Sequence, residues 1–485
     1  MIAIEYDAKL TKLEQRIEEL LERNHDLEQR NQELEQCKEK LEQENKRLRE
    51  LLNAKGESKD TKKPKFKLKY SLEKHQGKRK RRHQSTGRRA QEQKRNLVTD
   101  TKDIYPSSVS QEDCVAYREQ YAWRIINGKA EYICYSIYDR LNSKKLPTVP
   151  GLRNSRSEYG LEIILIVAFL HYWIGISLDH VCDVLCFFTG LNLPKSEADS
   201  LLTQLSRDWS DQYDTIAELL AFQLVIYIDE TGWKVGKRAC YTWAFSTAMH
   251  VLFRCGVGRG KAEAQEVVGE KFGGIGVSDD YGTYKNLFEK HQLCWAHLLR
   301  KAIKLMLQYP DERQYSQFLE ALYDIYQQAV RFQRDQRLSR GRKEKVEQLK
   351  ARITKLCTLY GQPIDPVKTA TDEAAFIRLQ NELVDGIESL FVFVEHPEVE
   401  ATNNRSERNV RREAEIRKGG RTSKSDNGAN RRSIIMTVLA TLNTRFKKFT
   451  LDKLLAEVER WIEVGVSMFQ VEHDELEKAH SPPVS

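Results

Sequence analysis

The 485-residue sequence has no paired-cysteine motif and no apolar run long enough to cross a bilayer. Its nine cysteines are odd in number and never spaced as Cys-x-x-Cys, which excludes a disulfide framework of the secreted type and favours free thiols in a reducing compartment. The most apolar run, Ile163 to Leu170, is too short for a membrane span, and Glu162 and His171 flank it. Nothing at the N-terminus resembles a signal peptide. We therefore expect a soluble cytoplasmic protein with no membrane partner.

Motifs for nucleotide and zinc binding are also missing. No Gly-rich loop leads into Lys and Ser or Thr, so nothing indicates hydrolysis of nucleoside triphosphates. Cys294-x-x-His297 is at most half of a zinc site, and core packing is the commoner role of such a pair.

Acidic residues are scarce between Lys62 and Arg95. Fifteen Lys or Arg residues stand there against Glu73 and Glu92, so this segment carries +13, the whole chain +8 and the remainder −5. Such a basic stretch favours a polyanion partner, most often nucleic acid. The central residues predicted to bind it are Lys78, Arg79, Lys80, Arg81 and Arg82. A solubilising linker or a sorting signal is the alternative interpretation.

Leucine recurs every seven residues from Leu13 to Leu48, and the position three residues earlier is often polar, as at Asn24 and Asn31. This pattern predicts a coiled coil over residues 8–54 with Leu at d and a polar-rich a column. Asparagine at a favours a parallel, in-register dimer. We therefore predict a homodimer or higher oligomer formed through this zipper. A single solvated helix is the alternative, and six regular heptads argue against it.

The segments after the zipper change in composition. Residues 55–107 are predicted to be a basic, disordered linker, because Gly56 and Pro64 end the helix and apolar residues are few. Residues 108–222 are first mixed and then helical in pattern. Apolar residues at helical spacing lie on both sides of the turn at 190–194, which predicts a possible helix-turn-helix DNA-binding region. A helical hairpin inside a core fits the same pattern equally well.

From Leu224 the apolar pattern becomes that of strands. The runs LVIYIDET, ACYTWAFST and HVLFRCGVG predict three consecutive antiparallel strands, and GGIGVSDDYG predicts another after a helix. Two of these strands end in carboxylate pairs, Asp229-Glu230 and Asp279-Asp280. Burying such charges without a counter-ion is unfavourable. A hard divalent cation with oxygen ligands removes that cost, so we predict a site for Mg²⁺ (or Mn²⁺), with two ions bracketing a displacement at phosphorus.

A third carboxylate is expected in the stretch TNNRSERNVRR. Glu407 lies in the first turn of a predicted helix, where the helix dipole tolerates a negative charge. Glu398 and Glu400 lie close by and are alternatives. The arginines around Glu407, predicted to hold phosphates, are Arg405, Arg408, Arg411 and Arg412. A solvated charged helix face is the alternative interpretation of this cluster.

The pieces DETGW, SDDYGTY, CWAHLLRK and NNRSERNVRR, followed by RKGGRTSKSDNGANRRSIIMTVLATLNT, resemble bacterial DDE transposases of the insertion-sequence sixty-six family. The resemblance covers roughly residues 155–450. It implies that Asp229, Asp279 and Glu407 are the catalytic, metal-binding acids, with Glu230 and Asp280 as assisting neighbours. Many family members carry a Cys-rich zinc module after the zipper, but Cys114 and Cys134 stand alone in that region, so no zinc site is predicted there.

The resemblance also implies a fold: a multidomain α+β chain with an N-terminal parallel coiled coil, a helical DNA-binding region and an RNase H-like catalytic domain. That catalytic domain is expected at 223–450 with a helical insertion at about 300–390, and a C-terminal helix and tail at 451–485.

The predicted activity is that of a DNA transposase, which cleaves transposon ends and transfers the strand to target DNA by in-line phosphoryl transfer in the cytoplasm, associated with the nucleoid. The alternatives are a catalytically inactive, domesticated DNA-binding descendant, a zipper-type DNA-binding regulator and an RNase H-like nuclease that cuts without joining. The regulator is disfavoured because its basic region would precede the zipper.

Overall fold

The structure is a computed structural model, and it describes residues 91–107, 109–143, 146–284, 286–338, 341–360 and 371–480. All of these lie in the second of two units into which the chain divides between residues 87 and 88. The predicted zipper and the basic residues Lys78 to Arg82 lie outside the described residues and remain predictions.

A three-stranded sheet opens the described part. The elements are α1 (Gln91–Arg95), β1 (Asp100–Ile104), β2 (Cys114–Ile126) and β3 (Lys129–Arg140). The order is β1-β3-β2, with β1 parallel and β2 antiparallel to β3. Asn127 and Gly128 connect β2 to β3 with positive φ values of 49° and 78°. Asn-Gly in this conformation gives the tight turn whose twist matches the strands of a hairpin.

Part of this sheet lies in a segment that was expected to be disordered. Residues 91–107 were expected in a disordered linker, but they contain α1 and β1, and β1 is ordered by its parallel pairing with β3. Cys114 and Cys134 lie far apart along the hairpin, since Cys114 pairs with Arg140 and Cys134 with Tyr121.

A helical layer follows. It comprises α2 (Leu161–Ala168), which continues as a π-helix (Phe169–Ile174), then α3 (Leu178–Thr189), α4 (Lys195–Asp208) and α5 (Ser210–Ala221). The two helices of the possible helix-turn-helix, α3 and α4, do form, and Gly190 ends α3 with φ 76°. Buried side chains of α4 belong to the main core, and its exposed Asp199 pairs with Arg431 at 2.7 Å. Both interpretations of this segment require the two helices and a core-facing side, so the DNA-binding role of the segment stays a prediction.

The central sheet has five strands in the order β6-β5-β4-β7-β8. Its elements are β4 (Val225–Val235), β5 (Arg238–Ser246), β6 (Val251–Val257), α6 (Lys261–Val268), β7 (Phe272–Ser278) and β8 (Phe288–Leu293). β4, β5 and β6 are antiparallel, as predicted, whereas β7 and β8 run parallel to β4.

Helices cover the sheet. The remaining elements are α7 (Trp295–Gln308), α8 (Arg313–Arg334), α9 (Arg342–Tyr360), α10 (Thr371–Asp385), α11 (Val392–Glu395), α12 (Asn404–Lys418), α13 (Asp426–Arg445), α14 (Leu451–Val464) and α15 (Met468–His480). The expected insertion is helical and has its own core, which reaches Tyr227 and Val277 of the sheet. Its two ends are joined, since the Trp295 amide donates to the Ala401 carbonyl at 3.1 Å. No helix in the described part of the chain has the length and apolarity that crossing a membrane requires.

The outer edge of β6 is closed by side chains of α13. The amides of Val251, Phe253 and Cys255 donate to the hydroxyls of Thr441, Thr437 and Ser433 at 3.1, 2.9 and 2.9 Å. Four residues of a helix rise about 6 Å, and two residues of a strand about 6.7 Å. Hydroxyls at every fourth helix position therefore match amides at every second strand position, and the edge has no free donors there.

We expect Thr437→Val to lower the free energy of unfolding by about 1–3 kcal/mol, because the buried Phe253 amide loses its acceptor while the side-chain volume is kept. Urea denaturation measures the change. Thr444→Val on the exposed face of the same helix is the matched control and should change stability by less than about 0.5 kcal/mol. Equal effects of the two substitutions would contradict the role of the hydroxyl.

Candidate active site

The parallel pairing of β4 with β7 brings the two predicted aspartates next to each other in the middle of the sheet. In the register of β4 and β7, Tyr227 lies opposite Val277. Asp229 and Asp279 each follow two residues later and therefore lie side by side, Asp229 within β4 and Asp279 directly after β7. The first strand was expected to end at its carboxylate pair, but β4 continues to Val235 because its later residues pair with β5. The Asp229 carboxylate accepts the amide of Glu230 at 2.9 Å, and that of Asp279 accepts the amide of Tyr281 at 3.1 Å.

Hydrogen bonds to β4 and β5 hold the start of α12 beside the two aspartates. The Asn403 side-chain amide donates to the Ile228 carbonyl at 2.7 Å, and the Ser406 hydroxyl donates to the Ala244 carbonyl at 2.8 Å. Ala244 is the partner of Asp229 in the β4–β5 pair. Glu407, which follows Ser406, is therefore held beside the two aspartates although it is distant along the chain.

The electrostatics of Asp229 reflect this convergence. Its pKa is raised to about 8, first because burial disfavours the charged carboxylate, and then because the negative charges of Glu230, Asp279 and Glu407 act on it. Oxygen donors from three distant segments that repel one another are the donor set of a hard divalent cation. The carboxylates of Asp229, Asp279 and Glu407 are thus of the type that Mg²⁺ or Mn²⁺ takes, although their oxygens do not all lie within 4.8 Å of one another.

Glu230, the other acid of the first pair, is turned to different partners. Neighbouring residues of a strand face opposite sides. Its carboxylate accepts the Tyr284 hydroxyl at 2.5 Å and pairs with Arg259 at 2.8 Å, and its side chain is only 3% exposed. Burial, followed by the charge of Glu230, raises the pKa of Tyr284 well above its usual value. Glu230 therefore ties the Tyr284 turn to β4. Asp280 of the second pair is exposed.

The two alternative third acids are engaged elsewhere. Glu400 pairs with Arg405 at 2.6 Å, and Glu398 lies 3.4 Å from His396. Neither is among the main charges that act on Asp229, whereas Glu407 is. The geometry favours Glu407.

The four arginines of α12 divide into two pairs. Arg405 holds Glu400 and lies over the Tyr227 ring at 5.3 Å, and Arg412 stacks on the Trp173 ring at 3.8 Å. Arg408 and Arg411 are exposed, and neither has an ion-pair partner among the residues that the structure describes. Arg405 and Arg412 thus make contacts within the protein, whereas the guanidinium groups of Arg408 and Arg411 face solvent.

Sequence reasoning did not connect Cys294 and His297 with Glu407. The Cys294 sulfur lies 3.8 Å and His297 Nδ1 lies 3.5 Å from Glu407 Oε1, and Arg300 donates to both carboxylate oxygens at 2.8 and 3.0 Å. Cys294 precedes α7 and His297 lies in its first turn, which places both on one side of that helix. The Cys-x-x-His spacing was the signal, but only the fold supplies the third group.

The raised pKa of Asp229 predicts a pH-dependent stability of the metal-free protein. An unfolded Asp loses its proton near pH 4, while native Asp229 keeps it to about pH 8. The native state therefore binds more protons between these values, and the free energy of unfolding should fall as pH rises, by at most about 1.4 kcal/mol per pH unit from this group. Asp229→Asn should remove that fall and stabilise the protein at pH 8.

Urea denaturation in a chelating buffer between pH 5 and 8 checks this expectation. Asp183→Asn, on the exposed face of α3, is the matched control and should leave the wild-type slope unchanged. If the free energy of unfolding depends on pH in the same way for wild type and Asp229→Asn, the raised pKa of Asp229 is contradicted.

Comparison with known proteins identifies the family of the chain. No curated protein matches the sequence. The family described as "Transposase IS66 family" matches residues 156–431, which is more than half of the chain and includes Asp229, Asp279 and Glu407. The chain belongs to the IS66 family of transposases.

Proposed function

We propose that this transposase cleaves DNA and transfers strands by a DDE mechanism, in which Asp229, Asp279 and Glu407 hold two divalent cations. The observation that carries the proposal is the convergence of these acids: parallel register aligns Asp229 with Asp279, and the Asn403 and Ser406 bonds seat Glu407 beside them. Mutual repulsion among these acids is consistent with a site completed by cations.

The sheet supports the RNase H-like assignment. Three antiparallel strands are followed by two strands parallel to the first, and the first acid lies on the central strand. A helical insertion then separates β8 from the helix of the third acid. We assign residues 223–450 to this catalytic domain and 451–485 to its C-terminal helices and tail.

In this mechanism the side chains of the protein hold the cations and position the DNA phosphates. Bound divalent cations would activate the attacking oxygen and stabilise the leaving oxygen of an in-line displacement. The attacking oxygen belongs first to water, which releases a 3′-hydroxyl at the transposon end, and then to that hydroxyl, which attacks target DNA. Arg408 and Arg411 are exposed on the helix that carries Glu407, so they are suited to hold the phosphates next to the reacting one.

Partners follow from the same proposal. The predicted basic tract, with Lys78 to Arg82 at its centre, adds contacts to the DNA backbone, and the predicted zipper pairs two copies on the transposon ends. We expect such a protein to be associated with the nucleoid.

We expect Asp229→Asn, Asp279→Asn and Glu407→Gln each to reduce Mg²⁺-dependent end cleavage and strand transfer by at least about 10³-fold, because each replaces an anionic carboxylate by a neutral amide that binds a hard cation more weakly. Binding to transposon-end DNA should persist. Gel assays with labelled end DNA and a target plasmid measure both products. Glu398→Gln, at an exposed acid, is the matched control and should retain activity.

Three outcomes separate the alternatives. Cleavage without joined products would favour a nuclease. DNA binding without either product in the wild type would favour an inactive descendant. Full activity of Asp229→Asn would exclude the three-acid mechanism.

The arginines of α12 provide a separate test. Replacing Arg408 and Arg411 together by Gln should weaken binding of all DNA sequences and lower the slope of log affinity against log salt by about two, one for each lost phosphate contact. Fluorescence anisotropy at several salt concentrations measures the slope. Arg337→Gln, on an exposed turn of the insertion, is the control and should leave it unchanged. An unchanged slope in the double variant would exclude these phosphate contacts.

A further inference from the structure

Three groups of different chemistry meet at the junction of β8, α7 and α12. The potential ligand atoms of Cys294, His297 and Glu407 all lie within 4.8 Å of one another, and this is the one such group of three or more in the part of the chain that the structure describes. Sulfur, imidazole nitrogen and carboxylate oxygen together are typical of zinc ligation, while Mg²⁺ takes oxygen ligands.

The separations suit a tetrahedral ion. Zinc bonds of about 2.0–2.3 Å to these donor types put neighbouring ligand atoms about 3.3–3.8 Å apart in a tetrahedron. The sulfur-to-oxygen separation here is 3.8 Å and the nitrogen-to-oxygen separation is 3.5 Å. Two of the three separations therefore already match a tetrahedral ion, and the third lies within 4.8 Å.

The individual donors are prepared for such a ligand. His297 Nδ1 is buried and has no hydrogen-bond partner among the described residues, although it points at the Glu407 carboxylate. The Cys294 sulfur accepts the amide of Asn403 at 3.1 Å, a bond that supports a thiolate ligand in metal sites. Cys294 stands at the N-terminal end of α7, and because burial raises the pKa of its thiol, a cation must displace the thiol proton on binding.

Access to the cluster lies on the side of α7. Cys294 is buried, but the side chain of His297 is 31% exposed. The Arg300 guanidinium, which occupies the Glu407 carboxylate, is 54% exposed. Arg300 can turn into solvent and leave an oxygen to a cation.

We infer that Cys294, His297 and Glu407 form a second metal site, specific for a thiophilic divalent cation of the Zn²⁺ class. This inference deepens the proposed function, on which its consequence rests, because Glu407 is also the proposed third ligand of the catalytic ions. Zinc on Oε1, the oxygen nearest Cys294 and His297, would draw the carboxylate towards the second site and weaken it as a ligand for the catalytic ions. Zinc at the second site therefore withdraws Glu407 from Asp229 and Asp279 and inhibits the Mg²⁺-dependent reaction.

Binding is tested without activity by titrating the full-length protein with Co²⁺, whose bond to a thiolate gives a charge-transfer absorption in the near ultraviolet. We expect one Co²⁺ per chain to produce this band and Zn²⁺ to abolish it by displacement. Cys294→Ser should lose the band. His297→Asn should weaken binding by more than the roughly 10–100-fold that loss of an outer-shell partner costs. The exposed-thiol control Cys186→Ser should behave as wild type.

Both variants keep a hydrogen-bonding group of similar size, and their thermal unfolding shows whether they fold. Should Cys294→Ser not fold, His297→Asn alone decides, because His297 is partly exposed. A wild-type band in Cys294→Ser, or wild-type affinity in His297→Asn, would overturn the site.

The consequence is tested by adding Zn²⁺ to cleavage assays run in Mg²⁺. We expect zinc to inhibit the wild type at least tenfold more strongly than Cys294→Ser. Equal inhibition of the two proteins would overturn the sharing of Glu407, even if the Co²⁺ band is present. If neither the wild type nor Cys294→Ser cleaves DNA in Mg²⁺, the proposed function is contradicted, whereas the Co²⁺ binding result is unaffected.

Discussion

Repulsion among acidic groups is the constraint around which this chain is arranged. Asp229 carries a pKa raised to about 8 because it is buried and faces the charges of Glu230, Asp279 and Glu407. A fold can hold such groups together only if separate contacts fix their backbones. Here the parallel pairing of β4 with β7 fixes two of them, and the Asn403 and Ser406 hydrogen bonds fix the turn that carries the third. Holding these acids together costs stability in the metal-free protein, and under the proposed function bound cations would offset that cost.

The long insertion is compatible with this arrangement because its ends meet. The Trp295 amide bonds to Ala401, and the Asn403 amide bonds to the Cys294 sulfur, so the chain leaves and rejoins the proposed catalytic site at nearly the same place. The insertion helices bury their apolar residues in a core of their own. Residues that are 109 positions apart in sequence are therefore neighbours in the site, and the insertion can vary in length without moving Glu407.

Sequence patterns predicted the parts of the fold that depend on local periodicity. The runs that contain Asp229 and Asp279 were predicted as strands because they are rich in apolar, β-forming residues, and the antiparallel order of the first three strands followed from their short links. The hairpin at Asn127-Gly128 carried a turn signal, but its Tyr, Trp and Cys residues gave no clear alternation, so its sheet was not predicted. The meeting of Cys294 and His297 with Glu407 depends on where the insertion returns, which no local pattern specifies. Likewise, helical spacing grouped four arginines on α12, and only tertiary contacts show that Arg405 and Arg412 are committed to Glu400 and Trp173.

The hydroxyls of Ser433, Thr437 and Thr441 close one border of the central sheet by taking up the outward-facing amides of β6. An open border of this kind is where a second chain adds a strand. Copies of a transposase crowded onto one stretch of DNA would otherwise risk joining sheet to sheet along this border. With the hydroxyls in place, these three amides are not available to a further strand, so this border of the sheet does not offer a second copy a place to pair.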